Sequence, residues 1–298
     1  MSRGTLVEDD QGPVVHALVA DPSNAIVPSA STTAHAIPSH GVSLNAVLYA
    51  AAGAGPHPTV LLLHGLPGNE QNLDCAQSIR RAGWNVLTIH YRGSWGGPGA
   101  FTLARCLEDA EAALDWLHAV GRAAELPVDP ARIALVGHSM GGFIAAHMAA
   151  RRLDILATAL ISAVDLGQAF GRADRSHGAA AVDENVGISA GLHILAGTSP
   201  ELLAAEARRH AQDWCLSTNG PRLADRPLLV ISSDDDFAAA SEVLATKVAD
   251  VDAQHLRRVH LATDHSYSGC RIALQKAILS WLIDLEADSG AGNPPRAA

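Results

Sequence analysis

The segment Ile133 to Gly142, IALVGHSMGG, constrains this chain more than any other stretch. A short apolar strand runs into Gly137-His138-Ser139-Met140-Gly141, and a helical pattern opens at Phe143. A strand that turns at once into a helix belongs to an alternating α/β architecture. In that setting G-x-S-x-G presents a serine hydroxyl above the sheet, and the small glycines permit the strained backbone and close helix packing. Ser139 is the candidate nucleophile. The helix N-terminus behind it offers the Met140 N–H and a favourable dipole to any negative charge that forms during attack.

The rest of the chain repeats the alternation. Val42 to Tyr49 reads as an early strand, Thr59 to Leu63 as a buried central one, and Asn72 to Ala82 as a helix closed by Gly83. Asn85 to His90 is a further strand, and Leu103 to Val120 an amphipathic helix with Leu103, Leu107, Ala110, Leu114 and Leu117 on one face. Strands follow at Ile155 to Ile161, Leu228 to Ile231 and Val259 to Leu261, then a last helix from Arg271 to Leu285. The expected fold is α/β, a mostly parallel sheet flanked by helices. Residues 1–30, rich in Pro, Ser, Asp and Ala, read as an N-terminal arm, 31–290 as the domain and 291–298 as a tail. The stretch from about 163 to 226 is too long for a connection and contains helical runs such as Glu201 to Leu216, so a helical cap insertion is expected there.

Composition removes several alternatives. With 298 residues, 48% of them apolar, the chain can bury one large core. A formal charge of -10 without basic clusters argues against nucleic acid or anionic membrane as a partner. Met1 to Asp10 has no apolar h-region, and the apolar runs are too short for a bilayer, so the reading is soluble and cytoplasmic. Cys75, Cys106, Cys215 and Cys270 stand singly and read as free thiols. Fifteen histidines occur without HExxH or repeated ligand spacing, so neither metal nor organic cofactor is expected. Self-association is left open.

A serine nucleophile needs a base, a group to orient it and donors for an oxyanion. Histidine titrates near neutrality, and His260 and His265 lie in or after the last strand. His265, in the loop beyond it, is favoured, because sites gather at the C-terminal edge of a parallel sheet; His260 reads as structural. The acid belongs after Leu228 to Ile231, where Asp234, Asp235 and Asp236 stand in a row. Asp236 is placed to cap the helix from Ala238, while Asp234 and Asp235 are not separated by this reasoning. The loop His64-Gly65-Leu66-Pro67 supplies the Leu66 N–H as second oxyanion donor, Pro67 having none. Trp95, Trp214 and Tyr267 are equally readable as pocket lining or as core.

The segments HGLPGNEQN, HYRGSWGGPG, GHSMGGF, SSDDDF and TDHSYS resemble the prolyl-oligopeptidase-like (dienelactone-hydrolase-like) group of α/β-hydrolase-fold serine hydrolases, over roughly His40 to Leu285. The resemblance implies an eight-stranded, mostly parallel sheet, a Ser, Asp, His triad and a backbone oxyanion hole, carried over to Ser139, Asp235, His265, Leu66 and Met140. Ser232 plus three residues gives the family spacing for Asp235. Members usually carry a β-propeller ahead of the hydrolase domain, for which the residues before Val42 are too few, so a different substrate gate is expected. No acidic pair for gripping a peptide N-terminus is visible, and Tyr91-Arg92-Gly93 matches a structural loop. The expected activity is ester hydrolysis through an acyl-enzyme on a small-molecule ester or amide. The alternatives are a serine peptidase or amidase and, in another class, a non-catalytic ligand-binding protein.

Overall fold

The apolar run at Thr59 to Leu63 lies in a strand, His57–Leu63, whose residues are buried from Pro58 onward. Such a strand needs cover on both faces, and the computed structural model, which describes residues 12–171 and 188–290, shows how it is covered. In chain order the elements are α1 Pro13–Val19, β1 Ser31–Ser39, β2 Val42–Ala50, β3 His57–Leu63, α2 Leu73–Arg81, β4 Asn85–Ile89, α3 Leu103–Arg122, β5 Val128–His138, α4 Met140–Ala149 and β6 Ala157–Ile161. Helices over Leu166–Gly171, Pro200–Arg209 and Gly220–Leu223 follow, then β7 Leu228–Ser233, a helix Ala238–Ala249, β8 Leu256–Leu261 and a final helix Arg271–Gly290.

The eight strands form one sheet in the order β1-β2-β4-β3-β5-β6-β7-β8. The pairs β1/β2 and β2/β4 are antiparallel and all others parallel. Alternate side chains point to opposite faces. Leu61, Leu63 and Leu135 therefore pack with α3 and α4, whereas Val60, Leu62, Ala134 and Val136 pack with α2 and the final helix. Each fully buried aliphatic side chain of this kind contributes on the order of 1.5–3 kcal/mol.

Two departures from the sequence reading have local causes. Within the expected arm, Pro13–Val19 is helical, started by a proline in the first turn, and Ala17 is buried against the second core layer. Arg81 of α2 holds it, donating from Nε to the Ala17 carbonyl at 2.6 Å. One short helix with one buried residue leaves little periodicity to read. Residues 1–11 and the tail 291–298 lie outside the described residues. Strand β1 went unread for a similar reason: seven of its nine residues are not buried, and only Ile37 and Ser39 reach the interior.

The segment between β6 and β7, read as a cap, is described except for 172–187. Its helix Pro200–Arg209 is capped by Ser199, whose hydroxyl accepts from the Leu202 N–H, and it ends earlier than Leu216. Beyond it the chain turns back to meet α4. Asp165 accepts from the Leu216 N–H at 2.9 Å, and His147 of α4 donates from Nε2 to the Asp213 carbonyl at 2.9 Å. Glu206 accepts from the N–H groups of Leu103 (2.8 Å) and Ala104 (3.1 Å), capping the start of α3 across about a hundred residues of sequence.

Candidate active site

The strand β5 ends at His138, and the chain reverses into α4 through Ser139, whose φ of 56° and ψ of -119° lie in a region costly for a non-glycine residue. The turn is over-determined by its surroundings. The Ser139 N–H donates to the Ile161 carbonyl at 2.9 Å, and its own carbonyl accepts from Phe143 and Val164. A methyl group on Gly137 would come within 2.1 Å of the Gly141 carbonyl oxygen, and one on Gly141 within 2.0 Å of that of Leu63. Both glycines are thus required by close backbone approach, not only by flexibility.

Three loops converge on this turn from neighbouring strands. After β3, Gly65 abuts the serine so closely that a Cβ there would lie 2.9 Å from Ser139 Cβ and 3.4 Å from its Oγ. The next residue, Leu66, has an N–H without an acceptor among the described residues. Met140 opens α4, so its own helix supplies no acceptor for its N–H. His64 fixes the loop by donating from Nδ1 to the Gly65 carbonyl at 2.7 Å, and burial pushes its pKa down to about 4, keeping it neutral.

After β7 and β8 the aspartates and histidines sort into two pairs. Asp235 Oδ2 accepts from His265 Nδ1 at 2.8 Å, with the Asp235 side chain 6% exposed and that of His265 33%. Asp234 pairs with His260 at 3.0 Å on the open surface, their side chains 63% and 52% exposed, and His260 Nδ1 also meets the Ser232 hydroxyl. Asp236 does not cap the helix from Ala238. Asp235 accepts from the Phe237 N–H instead, and the helix begins at Phe237 without a side-chain cap.

Burial opposes charge on Asp235. Hydrogen bonds, first of all from His265 and also from Ser233, outweigh it and hold the carboxyl well below the usual carboxylate range. The serine and the dyad meet through a residue that sequence reasoning did not single out. His138 donates from Nε2 to the His265 carbonyl at 2.8 Å, and the two rings lie 4.7 Å apart. Burial drives the His138 pKa down to about 3, so no second positive charge arises beside His265. Ser139 Oγ has no hydrogen-bond partner among the described residues.

Of the aromatic residues left open, Tyr267 and Trp214 are buried, whereas Trp95 is 40% exposed. Trp95 Nε1 donates to the Pro67 carbonyl at 3.1 Å, tying it to the loop of Leu66. Beside it opens a cleft of about 390 Å³ lined by Gly93, Trp95, Gly96, Leu195 and Ala196 among others. Tyr91-Arg92-Gly93 is a structural loop: Arg92 Nε donates to buried Asp109 at 2.6 Å. Among the described residues no group of three or more His, Cys, Asp or Glu could hold a metal ion, and no helix is long and apolar enough to cross a membrane.

Comparison with known proteins adds to this geometry. Residues 58–184 match the sequence model of the alpha/beta hydrolase fold. Two uncharacterized proteins, from Mycobacterium tuberculosis strains CDC 1551 / Oshkosh and H37Rv, are 32% identical over 142 residues, covering 45% of this chain and 49% of each of theirs. The chain thus spans about half the length of the curated relatives it matches. Among solved structures, Est1E from Butyrivibrio proteoclasticus superposes with a TM-score of 0.61 at 20% identity, covering 85% of this chain and 99% of its own. EstE1, a thermostable carboxylesterase cloned from a metagenomic library, gives 0.60 at 23%, covering 92% of each chain. The acylaminoacyl peptidase of Pyrococcus horikoshii gives 0.62 at 15%, covering 86% of this chain but 42% of that one.

Proposed function

From the premise that this chain has the α/β-hydrolase fold, we propose that it is a serine hydrolase that cleaves carboxylic esters through an acyl-enzyme. The observation that carries the reading is the buried Asp235 carboxylate 2.8 Å from His265 Nδ1, beside a serine held at positive φ. A carboxylate on Nδ1 fixes the tautomer that leaves Nε2 as the base and stabilises the imidazolium once it forms. Ser139 attacks the carbonyl carbon as His265 takes its proton. The N–H groups of Leu66 and Met140 receive the oxyanion, and His265 returns the proton to the departing alcohol. Water, activated by the same histidine, then releases the acid.

Esters are preferred over amides on two grounds. The neighbour named as a carboxylesterase matches over 92% of its length, whereas the peptidase matches over 42% of its own. The cleft at Trp95, adjoining the Leu66 loop, is lined by three glycines, Trp95, Ile194, Leu195 and Ala196 with His193 the one polar side chain, a mostly apolar wall that suits an uncharged acyl or alkoxy group. We take the segment 163–226 to be the cap that shapes this substrate space.

The test is a panel of short p-nitrophenyl esters, lactones, aryl amides and aminoacyl amides run side by side. Turnover of the esters is expected; activity confined to aminoacyl amides would move the protein to the peptidases, and no turnover of any kind would leave a binding protein. Asp235→Asn is expected to lower ester kcat by roughly 10⁴-fold, the scale at which loss of the orienting acid reads. Asp234→Asn, on an exposed pair, should stay within about twofold of wild type. Equal losses in the two variants would contradict the assignment of the acid.

A further inference from the structure

Behind the Asp235–His265 pair lies a line of buried hydroxyl groups that the reaction itself does not use. Ser233 Oγ donates to Asp235 Oδ2 at 2.8 Å. Ser162 Oγ lies 3.1 Å from Ser233 Oγ and 2.9 Å from Tyr267 Oη. Ser162, Ser233 and Tyr267 are fully buried. Each hydroxyl has one proton, which fixes the direction of every bond. Ionised Asp235 can only accept, so the Ser233 proton is spent on it. Both remaining hydroxyl contacts then carry a proton when Ser162 donates to Ser233 and Tyr267 to Ser162, the Tyr267 contact with the Ile231 carbonyl being longer at 3.4 Å.

Resting on the reading of Asp235 and His265 given above, we propose that Ser162, Ser233 and Tyr267 are positioning residues. They form a one-way hydrogen-bond chain that holds the carboxylate in the orientation and ionisation state the histidine requires. The chain also closes on itself: Tyr267 stands two residues after His265, so the loop bearing the base is pinned at both of its functional side chains. The three hydroxyls come from the ends of three different places in the sheet, after β6, at the end of β7 and after β8. Aligned donors polarise one another, so the bond that reaches Asp235 is strengthened by those behind it. Burial pushes the Tyr267 phenol up to about 12, so it remains a donor throughout the working range.

The groups facing the dyad otherwise are His138, neutral and tilted against the His265 ring, Asp264, whose side chain is engaged by the Ser268 N–H, and Arg271, which is bound to Asp74. None of them donates to Asp235 in place of Ser233 among the described residues.

The experiment measures kcat, KM and the pH profile of kcat/KM for Ser233→Ala, Ser162→Ala and Tyr267→Phe, with urea midpoints to verify folding. Ser233→Ala is expected to lower kcat by about tenfold with little change in KM, since a hydrogen bond to a charged group is lost behind the base. Smaller losses follow in the order Ser162→Ala, then Tyr267→Phe. With one donor removed, Asp235 becomes the stronger acceptor for the imidazolium, so the acid limb of the Ser233→Ala profile moves to higher pH. A fall in kcat with an unmoved acid limb is what a merely structural role would give, and it overturns the proposal. So does a folded Ser233→Ala variant with wild-type kcat. Labelling of wild-type Ser139 by a fluorophosphonate tests the underlying reading separately: without labelling, that reading falls and the proposal with it.

Discussion

Ser139→Ala should abolish ester turnover, with kcat reduced by roughly 10⁶-fold, while the protein stays folded. The residue sits where the backbone is least forgiving, yet alanine tolerates that conformation no worse than serine, and Ser139 Oγ has no hydrogen-bond partner to lose among the described residues. Removing the hydroxyl therefore removes the nucleophile and little else. The residual rate would come from donors and binding alone. The readout is p-nitrophenyl ester hydrolysis together with fluorophosphonate labelling, which should mark the wild type at Ser139 and fail on the variant. Unchanged turnover, with labelling elsewhere, would remove Ser139 from the mechanism.

His265→Ala is expected to be nearly as damaging, again on the order of 10⁶-fold in kcat, since nucleophile and base act as a unit. His260→Ala is the matched control and should retain activity within about threefold. Both histidines follow or lie in the same strand, and both have an aspartate at hydrogen-bond distance, 2.8 Å for His265 and 3.0 Å for His260. What separates them is burial of the acid. Asp235 is shielded and receives two further donors, the Ser233 hydroxyl and the Phe237 N–H, whereas Asp234 faces water, where an ion pair contributes little. A large loss in His260→Ala with an active His265→Ala would reverse the assignment.

Much of the sheet was legible because its central strands are apolar on both faces. Thr59 to Leu63, Asn85 to Ile89 and Ile133 to Val136 leave no other place for themselves than the interior. The edge strand β1 carries its hydrogen bonds without an apolar stripe, so neither periodicity nor composition marks it. At the site, Ser139 could be read from its turn, because the glycines that crowd it are themselves a local signal. The choice of Asp235 over Asp234 could not be read from the residues alone: adjacent positions on a loop point in different directions, and only the folded chain shows which one turns inward. Ser162, Ser233 and His138 were missed, and Tyr267 was read only as pocket lining or core, because a hydroxyl or ring next to a motif has no pattern of its own. The available sign was position, since Ser162 and Ser233 each come at the exit of an apolar strand, on the rim where Ser139 also emerges.

Glu206 and Asp165 fasten the segment between β6 and β7 by gripping main-chain N–H groups of Leu103, Ala104 and Leu216. Fixtures of that type ignore the identity of the side chains around them. Of the segment residues that line the cleft, Leu195 belongs to the core and Ile194 packs against it, whereas His193 and Ala196 are exposed and can be exchanged without loosening that mount. A library at His193 and Ala196, with Glu206 and Asp165 kept, is the natural route to reshaping the cleft on this scaffold.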